Sequence, residues 1–278
     1  MTRSAASWHL FNALPSSRPC AIWSESSEQL MSSYLYGFTS ADAPHDLDGM
    51  SGVDERGIFM ITYGDVSALV SNYNMGKLEI GGNDIIAHQQ VIRGLMEQSS
   101  IIPLEFGLTL KDLWAVEDVV RANHDHLLQE LQRIYRKVEM ELSLRFAAGD
   151  LLGYLLEKYP YLREEMSKVA NGRLIYNYGN RARRNPKFEE TLEKEKAILA
   201  SKVEAIVGPW CAEIAKSPLE NNEKEVSTFN CLVNRERLKV FEKSIYDAAE
   251  RYCGDMLFTF NGPWAPQHFC DLSKISYD

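Results

Sequence analysis

The sequence predicts an α+β protein of two domains, each with helices packed on a mainly antiparallel sheet. Three observations carry this. Short strand-like runs alternate with helical ones, two of those runs flank a two-residue turn, and strand alternation restarts at Lys137 after a long amphipathic stretch. The hairpin-like pairs break a strict βαβ alternation, which favours variants of the ferredoxin-like arrangement over a doubly wound parallel sheet.

Residues 1–30 are rich in serine, lack a clear period and are expected to form a mobile N-terminal extension. The first strand is expected at Ser33-Tyr34-Leu35-Tyr36-Gly37-Phe38, a run of aromatic strand formers. Residues 39–56 hold Pro44, Gly49 and Gly52 and read as turns. Ile58 to Tyr63 and Val66 to Val70 then flank Gly64-Asp65, a hairpin signal. Ile85, His88, Ile92 and Leu95 recur at spacings of three and four, which places a helix over 83–97 with Asn83 or Asp84 as its cap. A short strand follows over 101–107, with Pro103 suited to its start or to an edge. One helix is expected over 111–133, its apolar stripe formed by Leu113, Val116, Val120, His124, Leu127 and Leu131.

The boundary between the domains is placed before Lys137, giving 31–133 and 134–278. Lys137 to Leu144 alternates polar with apolar, as a half-buried strand does. A helical stretch over 147–169 is broken near Pro160. The most regular helix is expected over 187–215, carrying Phe188, Leu192, Leu199, Val203, Ile206, Trp210 and Ile214 on one face and many Glu and Lys on the other. Val226 to Val233 reads as a strand, Asn234 as the cap of a helix ending before Gly254, and Met256 to Phe260 as the last strand before an aromatic tail.

Composition narrows the function. The chain has 278 residues and a net charge of -9. Residues 1–133 hold 8 basic against 17 acidic residues, so they carry the whole imbalance, while 134–278 hold 22 of each. An acidic surface repels nucleic acid and anionic membranes and suits a basic protein surface. No run approaches the roughly 20 apolar residues of a membrane helix, and residues 1–14 do not read as a secretory signal. Five cysteines, Cys20, Cys211, Cys231, Cys253 and Cys270, are an odd number without C-x-x-C spacing. They argue against a zinc site or a disulfide framework and fit a reducing cytoplasm.

Chemical motifs are sparse. Phosphate-binding glycine loops and the Gly-x-Ser-x-Gly elbow are absent. His124 and His126 lie two apart, which on a helix points their rings about 200° apart and prevents shared ligation. His88 sits on an apolar stripe, as a structural histidine does. Cys270 follows His268 by two residues, but no acidic partner or oxyanion element stands nearby. Arg181, Arg183, Arg184 and Lys187 form a basic cluster that reads as a solvated loop facing Glu189 and Glu190. No catalytic residue, metal or cofactor is expected. The tail around Trp264 and Phe269 is the most unusual segment: its aromatic residues are expected to fill the core, with Trp264 folding back onto the sheet after Gly262-Pro263, or else to anchor an interface, as Trp and Phe do.

Five segments, in order, resemble the gas vesicle protein L/F family. They are Tyr34-Leu35-Tyr36-Gly37, Tyr63-Gly64-Asp65-Val66-Ser67-Ala68-Leu69-Val70-Ser71, Ile102-Pro103-Leu104-Glu105-Phe106-Gly107, Lys137-Val138-Glu139-Met140, and the tail Gly262-Pro263-Trp264-Ala265-Pro266-Gln267-His268-Phe269. Glu105 stands where the family commonly has Arg, and Ala265, Gln267 and His268 depart from the family's tail. The resemblance implies a cytoplasmic, gas-vesicle-associated accessory protein without catalysis. It implies binding to the small hydrophobic protein that forms the vesicle shell, and contacts with other accessory proteins. The candidate partner-binding residues are Ile58, Met60, Val66, Leu69, Trp264 and Phe269. The alternative is a ferredoxin-like small-ligand sensor or enzyme with His88, His124 or Cys270 in a pocket.

Overall fold

A computed structural model describes residues 31–42, 46–47, 49–74, 82–169, 185–218 and 222–277. The expected N-terminal extension and the arginines of the basic cluster lie outside these residues. Nine strands and seven helices occur among the described residues, in two antiparallel sheets.

The first sheet is built from β1 (Met31–Ser40), β2 (Ile58–Tyr63), β3 (Val66–Asn74), β4 (Ile101–Pro103) and β5 (Thr109–Leu110). Its order is β2-β3-β1-β4, with β5 also on β1. The tyrosine-rich β1 is therefore central. Its register slips between Leu35 and Gly37. The bulge puts Tyr34 and Tyr36 on one face and Leu35 and Phe38 on the other. Gly37 makes this possible, because a Cβ there would stand 2.4 Å from the Ile102 carbonyl oxygen.

Helix α1 (Gly82–Gln98) covers the Tyr34–Tyr36 face. Helices α2 (Leu113–Ala122) and α3 (His124–Ile134) cover the Leu35–Phe38 face. The first sheet thus lies between two helical layers. Three expectations are corrected here. Helix α1 begins before Asn83, so neither Asn83 nor Asp84 is its cap, and Asp84 accepts the Asp54 N–H at 3.2 Å instead. Ile85 is exposed rather than on the core stripe. The single helix expected over 111–133 is two helices broken at Asn123. Its side-chain amide donates to the Val119 and Ser276 carbonyls, both at 2.8 Å, and its side-chain oxygen accepts the Ser276 N–H at 3.0 Å.

The second sheet contains β6 (Lys137–Phe146), β7 (Glu213–Lys216), β8 (Glu225–Asn234) and β9 (Met256–Trp264), ordered β7-β8-β6-β9. Helices α4 (Leu151–Lys158), α5 (Pro160–Val169), α6 (Pro186–Val207) and α7 (Leu238–Arg251) accompany it. Its core joins Met140, Leu142 and Leu144 of β6 to Phe188, Leu199 and Val203 of α6 and Phe241 and Ile245 of α7. Pro160 separates α4 from α5. The helix expected over 187–215 ends at Val207, where Gly208-Pro209 begins a short 3-10 turn, and Ile214 belongs to strand β7. Asn234 makes no cap bond, and a 3-10 turn precedes α7.

After β9 the chain returns to the first sheet. Ala265 packs on the α1 side, while Cys270, Leu272, Ile275 and Tyr277 pack on the α2–α3 side. Polar contacts pin this return. The His126 ring bonds the Asp271 carbonyl at 2.8 Å, and buried Glu139 accepts the His268 N–H at 3.0 Å and faces its Nδ1 at 2.5 Å.

Candidate functional site

The feature best suited to take up another chain is the free edge of β2. Among the described residues β2 has only β3 as a strand neighbour. Tyr63 and Val66 pair across Gly64-Asp65, whose glycine has φ +58. The pair closing a two-residue turn is a bonded one, and antiparallel ladders alternate. Tyr63, Ile61 and Phe59 therefore bond to β3, while Thr62, Met60 and Ile58 turn their backbone groups outward; the Ser51–Gly57 bridge meets that side at the Ile58 end, so the open stretch runs from Met60 to Thr62. The strand reads Ile-Phe-Met-Ile-Thr-Tyr and has none of the charges or prolines that protect edges. Phe59 and Ile61 pack toward the α2–α3 core, and Ile58 and Met60 toward the α1 core, all incompletely buried. Helix α2, packed on β2, carries Trp114 at 76% exposure.

The hairpin tip is braced from α3. His124 donates through Nδ1 to Asp125 at 3.0 Å and accepts the Asp65 N–H through Nε2 at 3.4 Å. Its ring meets Tyr63 edge-on, with centroids 5.9 Å apart. A Cβ on Gly64 would lie 2.7 Å from His124 Nε2, so glycine also lets the turn approach the ring.

The six residues expected to bind a partner do not form one surface. Ile58 and Met60 are partly accessible on β2. Val66 and Leu69 are fully buried on β3, and Phe269 is buried in the returning tail. These three are corrected to core positions. Val66 and Leu69 face the two opposite cores of the first sheet, each covered by helices, and Phe269 lies in the 3-10 turn after β9. Trp264, expected to fold back onto the sheet, is 46% exposed at the end of β9. Trp264→Ala is therefore expected to cost about 2 kcal/mol by denaturant titration, below the roughly 3–5 kcal/mol of a core tryptophan. A loss in the core range would show the ring to be packed in solution.

The remaining chemical candidates have structural partners. His88 lies within a buried aromatic group of Tyr34, Tyr36 and Phe106. Its Nε2 donates to the Leu104 carbonyl at 3.1 Å, so its Nδ1 accepts the Tyr34 hydroxyl at 3.0 Å. Tyr34 in turn accepts the Gly107 N–H at 3.0 Å. Burial holds the His88 pKa below the ordinary histidine value. The neutral ring fits this chain of bonds, because a proton on Nδ1 would face the Tyr34 hydrogen. Burial first, and then nearby Glu130, push the Cys270 thiol up to about 12, while His268 is bonded to Glu139.

His88 gives a pH expectation with a definite sign. Its folded pKa is depressed, so its contribution is complete above the unfolded value of about 6.5 and is lost as pH falls through the folded pKa. Urea titrations near pH 7.5 and 5.5 should show a drop in stability that His88→Gln reduces. An equal drop in the variant would assign it to other groups.

The family model described as gas vesicle synthesis protein GvpL/GvpF matches residues 32–271. The chain belongs to this family. Gas vesicle protein F of Haloferax mediterranei is 20% identical over 246 residues, covering 86% of this chain and 93% of that protein. Gas vesicle protein F of a Streptomyces species is 23% identical over 245 residues, covering 87% and 100%. The crystal structure of gas vesicle protein GvpF from Anabaena superposes with a TM-score of 0.75 at 17% identity, covering 87% of this chain and 99% of that one. That of GvpF from Microcystis aeruginosa gives 0.71 at 20% identity, with the same coverages. The family thus links the protein to gas vesicles, and the structural likeness supports the α+β fold.

Several family-like segments have clear structural work. Gly262 has φ +122, and a Cβ there would stand 2.8 Å from the Glu139 carbonyl and from Met140 Sδ. Ala265 and Phe269 are buried. The tail motif therefore serves largely to seat the returning chain. Glu105 is exposed. Sequence reasoning missed Trp114, whose exposure on α2 is invisible to an apolar-stripe count, and the tyrosine–histidine group, whose members are spread from Tyr34 to Phe106.

Proposed function

We propose that this protein is a cytoplasmic, non-catalytic accessory factor of gas vesicle assembly that binds the small hydrophobic shell protein through the β2 edge. The observation that carries the reading is that uncharged edge, with Met60 and Thr62 turning open backbone groups outward and half-covered apolar side chains on both faces. Such an edge accepts a partner's strand by main-chain hydrogen bonds, and side chains of alternating direction supply selectivity. A shell subunit with a gas-facing apolar surface needs a soluble partner during assembly. The acidic balance of residues 1–133 favours encounter with basic segments of that subunit and disfavours nucleic acid and anionic membranes. The proposal includes a boundary between two units near residue 134, supported by strands up to Leu110 forming one sheet and strands from Lys137 the other. The sensor-or-enzyme alternative gains no support from His88, His124 or Cys270, whose polar groups serve packing or local bonds.

Co-expression of the full chain with the shell protein tests this. Thr62→Pro removes one outward N–H and keeps the β2–β3 backbone bonds, but also gives up the 2.7 Å hydroxyl bond from Thr62 to buried Ser67, so Thr62→Ala serves as its control. Met60→Lys adds an edge charge. Thr62→Pro, relative to Thr62→Ala, and Met60→Lys, relative to the unaltered chain, are each expected to weaken capture by about tenfold or more with little change in melting temperature. Unchanged capture in both variants would remove β2 as the site. Failure of the unaltered chain to bind at low salt would remove the partner.

A further inference from the structure

We propose that the protein forms a symmetric dimer through the β9 edge and the exposed face of α7. The inference is independent of the shell-protein reading. It begins with β9, which pairs with β6 on one side and ends the second sheet on the other. No charged residue occurs from Met256 to Trp264, and Pro263 comes only near the end, so most of the edge is unprotected. Leu257 beside it is 58% exposed. An antiparallel strand can pair with a second copy of itself about a two-fold axis, extending a four-stranded sheet into an eight-stranded one.

Helix α7 identifies that second copy as the occupant. Its exposed face reads Lys239, Val240, Lys243, Tyr246, Asp247 and Glu250. On this exposed face positive charge lies in the first half and negative charge in the second, with partly exposed Glu242 beside Lys239 and with Arg251 closing the helix. This order runs against the helix dipole, which favours acid at the start and base at the end. Lys239 and Lys243 are also like charges four apart, and Asp247 and Glu250 like charges three apart, offset in part by the opposite pairs Lys239–Glu242, Lys243–Asp247 and Asp247–Arg251. An antiparallel copy of α7 reverses the order. Lys239 then faces Glu250 of the other copy and Lys243 faces Asp247, with exposed Val240 and Tyr246 between them. Isologous interfaces require such self-complementarity.

Strand and helix share one axis. Tyr246, in the second half of α7, is 63% exposed and meets Phe260, in the middle of β9, edge-on with centroids 5.9 Å apart. A two-fold axis passing the edge at this level pairs β9 with β9 and α7 with α7 together.

Sedimentation of the full chain over a wide concentration range tests the proposal. The unaltered protein is expected to show a reversible monomer–dimer equilibrium. The pair Lys239→Glu with Lys243→Glu makes the α7 face acidic, and Asp247→Lys with Glu250→Lys makes it basic. Each double variant alone should dimerise at least about tenfold more weakly, and their mixture should recover or exceed the original affinity. Circular dichroism of each variant checks that its fold is intact. A protein that stays monomeric throughout overturns the proposal. A dimer insensitive to both charge sets, or a mixture that fails to associate, also overturns it.

Discussion

Ending the chain after Cys270 should lower the unfolding free energy by about 5 kcal/mol, a large share of the roughly 5–15 kcal/mol typical of a folded domain. Leu272, Ile275 and Tyr277 would leave the core beneath α2 and α3, each removing about 1.5 kcal/mol of apolar burial. The loss of Ser276 would strip Asn123 of two of its side-chain hydrogen bonds at the junction of α2 and α3. Buried polar groups left unpaired cost about 1–3 kcal/mol. The lost Asp271 carbonyl would also free His126. Urea titration of the truncated chain checks this. An unchanged midpoint would show that the tail rests on the first unit without completing it.

Glu195→Ala should cost about 3–5 kcal/mol, the usual range for breaking a buried charged network. Glu195 of α6 is fully buried. It accepts Lys158 Nζ at 2.6 Å, the Tyr154 hydroxyl at 3.1 Å and the Tyr159 hydroxyl. Tyr154 also reaches Asp255 at 2.9 Å, which ties α4 and α6 to the start of β9. Burial alone would raise the Glu195 pKa, but the bonds from Lys158 and Tyr159 hold it below the ordinary glutamate value. The same network pushes Tyr159 up to about 12, with burial the largest cause. Because the glutamate's folded pKa is depressed, its contribution is complete above about pH 4.5 and is lost as pH falls through the folded value. Glu195→Gln keeps the shape and should lose less than Glu195→Ala. A loss below about 1 kcal/mol for alanine would mean that the network breaks even against water.

The readable parts of this fold were those set by neighbours in sequence. The β2–β3 hairpin follows from Gly64-Asp65 between apolar runs, β6 from strict alternation, and the α4–α5 break from Pro160. The unread parts depend on distant groups. Nothing local announces a break at Asn123, because two of its side-chain bonds are to a residue 153 positions away. Ile214 continued the stripe of α6 four residues after Trp210, so a strand was read as the end of a helix. Gly208-Pro209 was the available signal. At the candidate site, the residues of β2 were legible but their exposure was not. A strand's outer edge is defined by what fails to pair with it, and only the sheet order reveals that.

The returning tail also sets an order on folding during synthesis. The core under α2 and α3 includes Ile275, which follows every strand of both sheets along the chain. The first sheet is therefore incompletely covered until β9 and the segment after it have been made. A nascent chain that has exposed only its first unit keeps an open apolar seam, which proteases and chaperones recognise. The second unit is thus synthesised before the first can close.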